Sequence, residues 1–288
     1  MPAQADHQLF SVFAQDEITL GKSLFLTLGT KVEHNDYTGL EAEPGVRLRW
    51  SMAPSQTLWA AVSRAVRMPS RYDRDIFQPR PPPVVATGGK NFVSETVIAY
   101  ELGYRVQLAS DFSTSVSAFY NSYDRLRSFG PAPGTTHPVF FANNLGGETH
   151  GLELSVQYQV RDGWRLRGGY DLLLEHLRVK PGQMDIFGGR NETSDPEHQA
   201  SFGTSWDLPH NVSFDTNLRW VDTLPTTNGT VPSYFELDAR MAWRPNDRLE
   251  LSLVGQNLLH DHHPEFGIAV PRREEIQRSV YGKAAWRF

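Results

Sequence analysis

EEIQRSVYGKAAWRF, residues 274–288, closes the chain and decides how the rest of it is read. With a period of two, Ile276, Val280, Gly282, Ala284, Trp286 and Phe288 share one face, while Gln277, Ser279, Tyr281, Lys283, Ala285 and Arg287 share the other. This is a strand apolar on one side and polar on the other, with aromatic residues at its end. Such a strand suits the edge of a soluble sandwich or the wall of a membrane barrel. Its recurrence upstream selects the barrel.

Working back along the chain, alternating runs cover residues 7–19, 23–37, 43–52 and a fourth beginning at Gln56. In the second, Leu24, Leu26 and Leu28 alternate with Phe25 and Thr27. In the third, Val46, Leu48, Trp50 and Met52 oppose Arg47, Arg49 and Ser51. Further runs cover 94–108, 112–128, 138–160, 164–177, 198–208, 211–221, 234–243, 248–259 and the terminal stretch. The total is about thirteen strands, with no segment of helical period. Short turns are expected at 20–22, 53–55, 109–111, 161–163, 209–210 and 245–247, and a longer loop between each successive pair. An up-and-down membrane barrel with short periplasmic turns and long external loops predicts that rhythm, and it points the final strand at the periplasm.

The longest expected loops lie near 64–93, 178–195 and 260–273. The first holds PRPPPVVATGG, where Pro81, Pro82 and Pro83 oppose helix and ladder alike, and five arginines, Arg64, Arg67, Arg71, Arg74 and Arg80. Gly146-Gly147 and Gly168-Gly169 fall inside strands, where a bulge or bend is expected. Trp50, Tyr104, Trp164, Tyr170, Trp206, Trp220, Trp243 and Trp286 lie mostly near strand ends on apolar faces, as the girdles at two membrane interfaces would.

Bulk properties restrict function by exclusion. The 288 residues carry a net charge of -5 with 11% aromatic content, a balance that does not favour a nucleic-acid partner. No apolar run approaches the ~20 residues of a spanning helix. Mean hydropathy is -0.44, which a barrel tolerates because each strand is half polar. With no cysteine there are neither disulfides nor thiolate metal sites. No nucleophile has a neighbouring base and no glycine-rich loop cradles a phosphate, so no catalytic residue and no cofactor is expected. His260, His262 and His263 are spaced closely enough to share an ion. No carboxylate is spaced convincingly as a further ligand, so they read as solvated loop histidines with no metal.

An odd strand number, and a first run within seven residues of Met1 without a basic and apolar leader, make the chain read as the carboxyl-terminal part of a larger barrel. An incomplete barrel leaves two unpaired edges, which is costly in lipid.

Six stretches resemble, in order, landmarks of the TonB-dependent outer-membrane receptors: SRAVRMPSRYDRD at 63–75, SETVIAYELGYR at 94–105, SAFYNSYDRLRS at 117–128, NNLGGETHGLELS at 143–155, GQNLLHDHHPEF at 255–266 and the SVYGKAAWRF terminus. The resemblance covers nearly the whole chain. It implies the last thirteen or so strands of a 22-stranded barrel, without counterparts of the plug, the TonB box and about nine strands. It implies an outer-membrane, non-enzymatic receptor of a Gram-negative cell, in contact with lipid and with the barrel-assembly machinery. The TonB system would act only through the missing plug, and a ferric siderophore is the expected ligand of the intact parent. Arg64, Arg67, Arg71 and Arg74 become candidates for clamping an anionic ferric chelate, set against a role in the barrel's polar rim and inner wall. Tyr281, Trp286 and Phe288 become the candidate assembly signal, although Lys283 stands where such signals often carry glycine. The alternatives are a rim-site phospholipase or protease, for which no convergent catalytic group exists, and an adhesin-like barrel that transports nothing.

Overall fold

Alternation of apolar and polar residues produces strands, and their ends are set by turn chemistry. The computed structural model describes residues 6–78, 86–131, 139–226, 229–266 and 275–288. Arg80 and the run Pro81 to Pro83 lie outside the described residues.

Thirteen long strands follow one another in sequence order across one sheet. They are β1 (Leu9–Thr19), β2 (Leu24–Asn35), β3 (Gly39–Ala53), β4 (Gln56–Arg67), β5 (Glu95–Ala109), β6 (Phe112–Pro131) and β7 (Val139–Arg161). After these come β8 (Trp164–Val179), β9 (His198–Leu208), β10 (Val212–Val221), β11 (Tyr234–Asn246), β12 (Leu249–Gln256) and β13 (Ser279–Trp286). The six short turns fall at 20–23, 54–55, 110–111, 162–163, 209–211 and 247–248, within a residue or two of expectation. Positive φ at Gly163, His210 and Asn211 closes two of them.

Three expectations are corrected. The longer loop expected between the second and third runs is a three-residue turn at 36–38. Asn35 Oδ1 accepts from the backbone N–H groups of Tyr37 and Thr38 at 2.9 and 2.8 Å, and Gly39 takes φ +73°. The stretch 64–93 is not a featureless loop. It contains α1 (Arg71–Asp75), started by a capping box between Ser70 and Asp73, and a ribbon pairing Phe77–Gln78 with Ala86–Thr87. The final strand is also interrupted. Ile276–Gln277 pairs with His262–His263 in a separate ribbon, and Arg278 breaks the period by donating its N–H to Asp261 O while its side chain holds the Asp261 carboxylate at 3.0 Å.

The chain divides into two compact units, residues 1–103, 118–150 and 174–193, and residues 104–117, 151–173 and 194–288. In the first unit, cross-strand ladders run Leu24–Trp50–Leu58, Leu26–Leu48–Ala60 and Leu28–Val46–Val62 on one face. Thr27–Arg47–Ala61 and the pair Lys31–Glu43 lie on the other. Few apolar side chains are enclosed. Phe129, Phe141 and Phe187 pack edge to face at 5.1 to 5.6 Å beneath Tyr72, in a small core at the loop end of β6 and β7.

The second unit repeats the two-faced pattern. Trp164–Trp206–Phe214–Met241–Leu253–Gly282 is one line of directly opposed residues, and Phe202–Leu218–Leu237 another. Many of these side chains are half exposed, Met241 at 53% and Leu253 at 60%. An outward face of that composition is stable against lipid rather than water. At its turn end stand Trp164 stacked on Trp206 at 5.5 Å, Phe112 against Tyr158, and Trp243; at its loop end stand Trp220 against Phe235 and Tyr170 against His198. Phe214 and Trp220 stand six positions apart on one face of β10, about 20 Å along the strand. The opposite face is charged: Arg240 reaches Asp215 at 3.0 Å and Glu250 at 2.5 Å, and Arg244 reaches Glu250 at 2.7 Å. No described helix is long and apolar enough to cross a membrane.

Candidate functional site

The arginine-rich segment after β4 is tied down by its own Asp73 and by Glu95 at the head of β5. Asp73, the N3 residue of α1, is fully buried. It accepts from Ser70 N and Oγ, both at 2.8 Å, and from Arg67 at 3.1 Å, while Arg127 of β6 stands 3.6 Å away. Arg67 also forms a two-pronged pair with Glu95 at the head of β5, at 2.7 and 2.5 Å, and the Arg127 N–H donates to the same carboxylate at 2.8 Å. Glu192, from the connection after β8, approaches Arg127 at 3.6 Å. Burial alone would raise the Asp73 carboxyl, but the Ser70 hydrogen bonds and the Arg67 charge outweigh it and hold it below its ordinary value. Glu192 is moved the other way, chiefly by burial.

Beside this knot, Tyr37 donates to Asp75 at 2.5 Å and meets His7 Nε2 at 3.0 Å. Burial and that carboxylate push its phenol up to about 12, against the opposing charges of Arg71 and Arg74. Arg74 donates to the backbone carbonyls of Tyr37 and Lys90 and lies over the Tyr37 ring at 5.0 Å. Arg64 donates to Ala42 O and stands 3.6 Å from Glu41.

Of the four sequence candidates, therefore, Arg67 and Arg74 are spent on internal partners. Arg71 sits with them beside Tyr37. Arg64 lies apart, at the edge of a groove of about 730 Å³ on the polar face of β1 to β4. That groove is also lined by Lys31, Arg47 and Arg49, interleaved with Glu17, Glu43 and Glu101. Arg49 covers the Phe25 ring at 3.9 Å and Arg47 the Trp59 ring at 5.2 Å, which fixes both guanidinium groups at the wall.

In the terminal strand, Trp286 opposes Leu249 on the apolar face, whereas Tyr281 opposes Val254 on the polar face. Phe288 lies beyond the last ladder pair and is fully exposed. The three proposed signal residues thus do not share one side.

The histidines are not all solvated, as the sequence suggested. His262 points outward beside Glu275, but His263 is only 4% exposed and, with His260, converges on the fully buried Glu236 of β11. Sequence reasoning missed Glu236 because it stands 24 residues before His260 and on the opposite partner of the strand pair.

Comparison with known proteins gives a consistent result. The family model described as TonB dependent receptor-like, beta-barrel, matches residues 2–258. An iron-regulated outer membrane virulence protein of Vibrio cholerae is 23% identical over 280 residues, covering 88% of this chain and 41% of that protein. The ferric enterobactin receptor of Pseudomonas aeruginosa superposes with a TM-score of 0.77 at 17% identity, over 98% of this chain and 45% of its own. A siderophore receptor of Acinetobacter baumannii superposes at 0.75 with 14% identity, over 99% of this chain and 47% of its own. The chain spans less than half the length of each.

Proposed function

Because the chain belongs to the TonB-dependent receptor-like β-barrel family, a non-enzymatic class of the outer membrane, we propose that it forms the wall of an uptake receptor whose intact form binds a ferric siderophore and imports it. The observation that carries the reading is the division of β1 to β4 into two faces, a ladder of exposed apolar side chains and a polar lining in which Arg47 and Arg49 are fixed over aromatic rings. An anionic ferric chelate is drawn to such a lining, and the aromatic faces under Arg47 and Arg49 keep those charges in place. Named relatives act on the same class of ligand: one structural neighbour is a ferric enterobactin receptor and another a siderophore receptor.

The arginine segment then has a divided role. Arg64, with Arg47 and Arg49, supplies attraction along the wall. Arg67, Arg71 and Arg74 hold the segment between β4 and β5 in shape, so that a chelate meets a preformed surface. Energy coupling through TonB and insertion by the barrel-assembly machinery belong to the same proposal.

The test is uptake of radioactive iron, presented as a panel of ferric siderophores, by iron-starved cells making the intact receptor. Disruption of the gene is expected to abolish uptake of one chelate class. In the intact receptor, Arg64→Ala together with Arg47→Ala should weaken binding of that chelate at least tenfold at low ionic strength and less at high. Unchanged uptake of every chelate after disruption would overturn the proposal.

A further inference from the structure

We propose that Glu236, His260 and His263 form a binding site for a first-row divalent cation of the zinc type, which fastens the segment after β12 to the head of β11. Three donor atoms from two separate segments converge, Glu236 Oε1, one ring nitrogen of His260 and one of His263, all within 4.8 Å of one another. Two imidazoles and one carboxylate form a mixed nitrogen and oxygen set that such ions take, with a further position left for water or an exogenous donor.

The surroundings are arranged as a support for such a site. Leu259 N–H donates to Glu236 Oε2 at 3.2 Å, which leaves Oε1 turned toward the histidines. His263 Nε2 stands 2.9 Å from Glu265 Oε1. Glu265 is held by Arg219 at 2.5 Å, and Arg219 in turn by Asn257 Oδ1 at 2.7 Å. A carboxylate behind a histidine fixes the tautomer: with the proton on Nε2, the Nδ1 lone pair points at the centre.

The His263 Nδ1 atom supplies the independent sign of a missing cation. It is buried and makes no hydrogen bond of acceptable geometry, although Glu236 Oε1 is only 3.0 Å away. A bare ring nitrogen facing a buried carboxylate oxygen is repulsive unless positive charge lies between them. The neighbouring guanidinium of Arg219 is bonded to Glu265 rather than to Glu236. A divalent ion would satisfy Nδ1 and take the place, at Glu236 Oε1, of the hydrogen bond that His260 Nδ1 now makes with it. Donors around a tetrahedral ion at ~2.1 Å stand roughly 3.4 Å apart, so the present 2.6 Å from His260 Nδ1 to Glu236 Oε1 must widen by under an ångström. His260 is half exposed and free to turn by that amount, and it gives the ion its entry path.

His262 is the built-in control, since it alternates to the other side of the same two-residue ribbon and pairs with Glu275. The intact receptor that carries this sequence, extracted in detergent from outer membranes, is titrated with ZnCl₂ against a chromophoric chelator, and separately with CoCl₂ followed by visible absorption. One equivalent is expected, with cobalt bands in the range of nitrogen and oxygen coordination. His260→Ala and His263→Ala should each weaken zinc binding at least tenfold, and His262→Ala should leave it unchanged. Because His263→Ala can loosen the packing, the half-exposed His260→Ala, checked for unchanged trypsin resistance, is the deciding variant. Zinc binding that is equal in the unaltered protein and in the His260→Ala/His263→Ala double variant would overturn the site, as would an equal loss in His262→Ala.

Discussion

At the residue scale, Asp73 explains why the arginines of SRAVRMPSRYDRD cannot be counted as four free cations. Its carboxylate is fully buried and takes bonds from the Ser70 backbone, the Ser70 hydroxyl and Arg67. Asp73→Ala removes the capping partner of Ser70 and one of the two carboxylates that hold Arg67; because Arg67 is half exposed and keeps Glu95, the cost is about 1–2 kcal/mol. The variant should therefore loosen α1 locally and speed trypsin cleavage after Arg67, Arg71 and Arg74 by roughly tenfold. The pH dependence has a definite sign. The folded carboxyl lies below its ordinary value, so its contribution is complete above the unfolded value and is lost as pH falls through the folded one. Trypsin is inactive there, so the acid limb is read with pepsin. Protection of the 67–78 segment should fall as pH drops below about 4, and the Asp73→Ala protein should show no such step. The identity of these arginines was legible in the sequence. Their partners were not, because Glu95, Arg127 and Glu192 are 28, 60 and 125 residues from Arg67 and no local pattern links them.

At the scale of the element, strands and turns were almost fully legible. Period-two alternation is a local property, and Gly163 or the Pro209 to Asn211 corner announces a reversal without help from the rest of the chain. What escaped were elements shorter than a period. Helix α1 has five residues and uses Asp73 where a capping box more often carries Glu or Gln, so its start signal is weak. The two glycines of NNLGGE illustrate a strand requirement that the sequence announces only as a bend. Gly147 adopts φ +151°, and a Cβ there would strike the carbonyl oxygen of His176 on β8. Gly147→Ala is expected to destabilise the β7 and β8 pair by about 1–3 kcal/mol. Faster hydrogen exchange of amides near 144–150 and 174–180, with the Trp164 and Trp206 end unaffected, is the corresponding measurement.

At the scale of the whole molecule, the strand order begins at β1 and ends at β13, and among the described residues each has one hydrogen-bonded neighbour. All residues of β1 are exposed, as are all of β13 except Ala285. Edges of that length are costly in lipid and sticky in water. The 288-residue polypeptide produced without further sequence is accordingly expected to give no heat-modifiable, protease-resistant band; a folded band on unboiled gels would contradict this. The interruption at Arg278 bears on how such receptors diversify. Because the Asp261 pair and the backbone bond to Asp261 O restart the alternation there, Val280 to Trp286 keep their frame whatever number of residues separates His263 from Ile276. Length changes between His263 and Ile276 are therefore silent in the frame of the terminal strand, as an intron is silent in the frame of an exon, and they leave unchanged the face on which Trp286 lies.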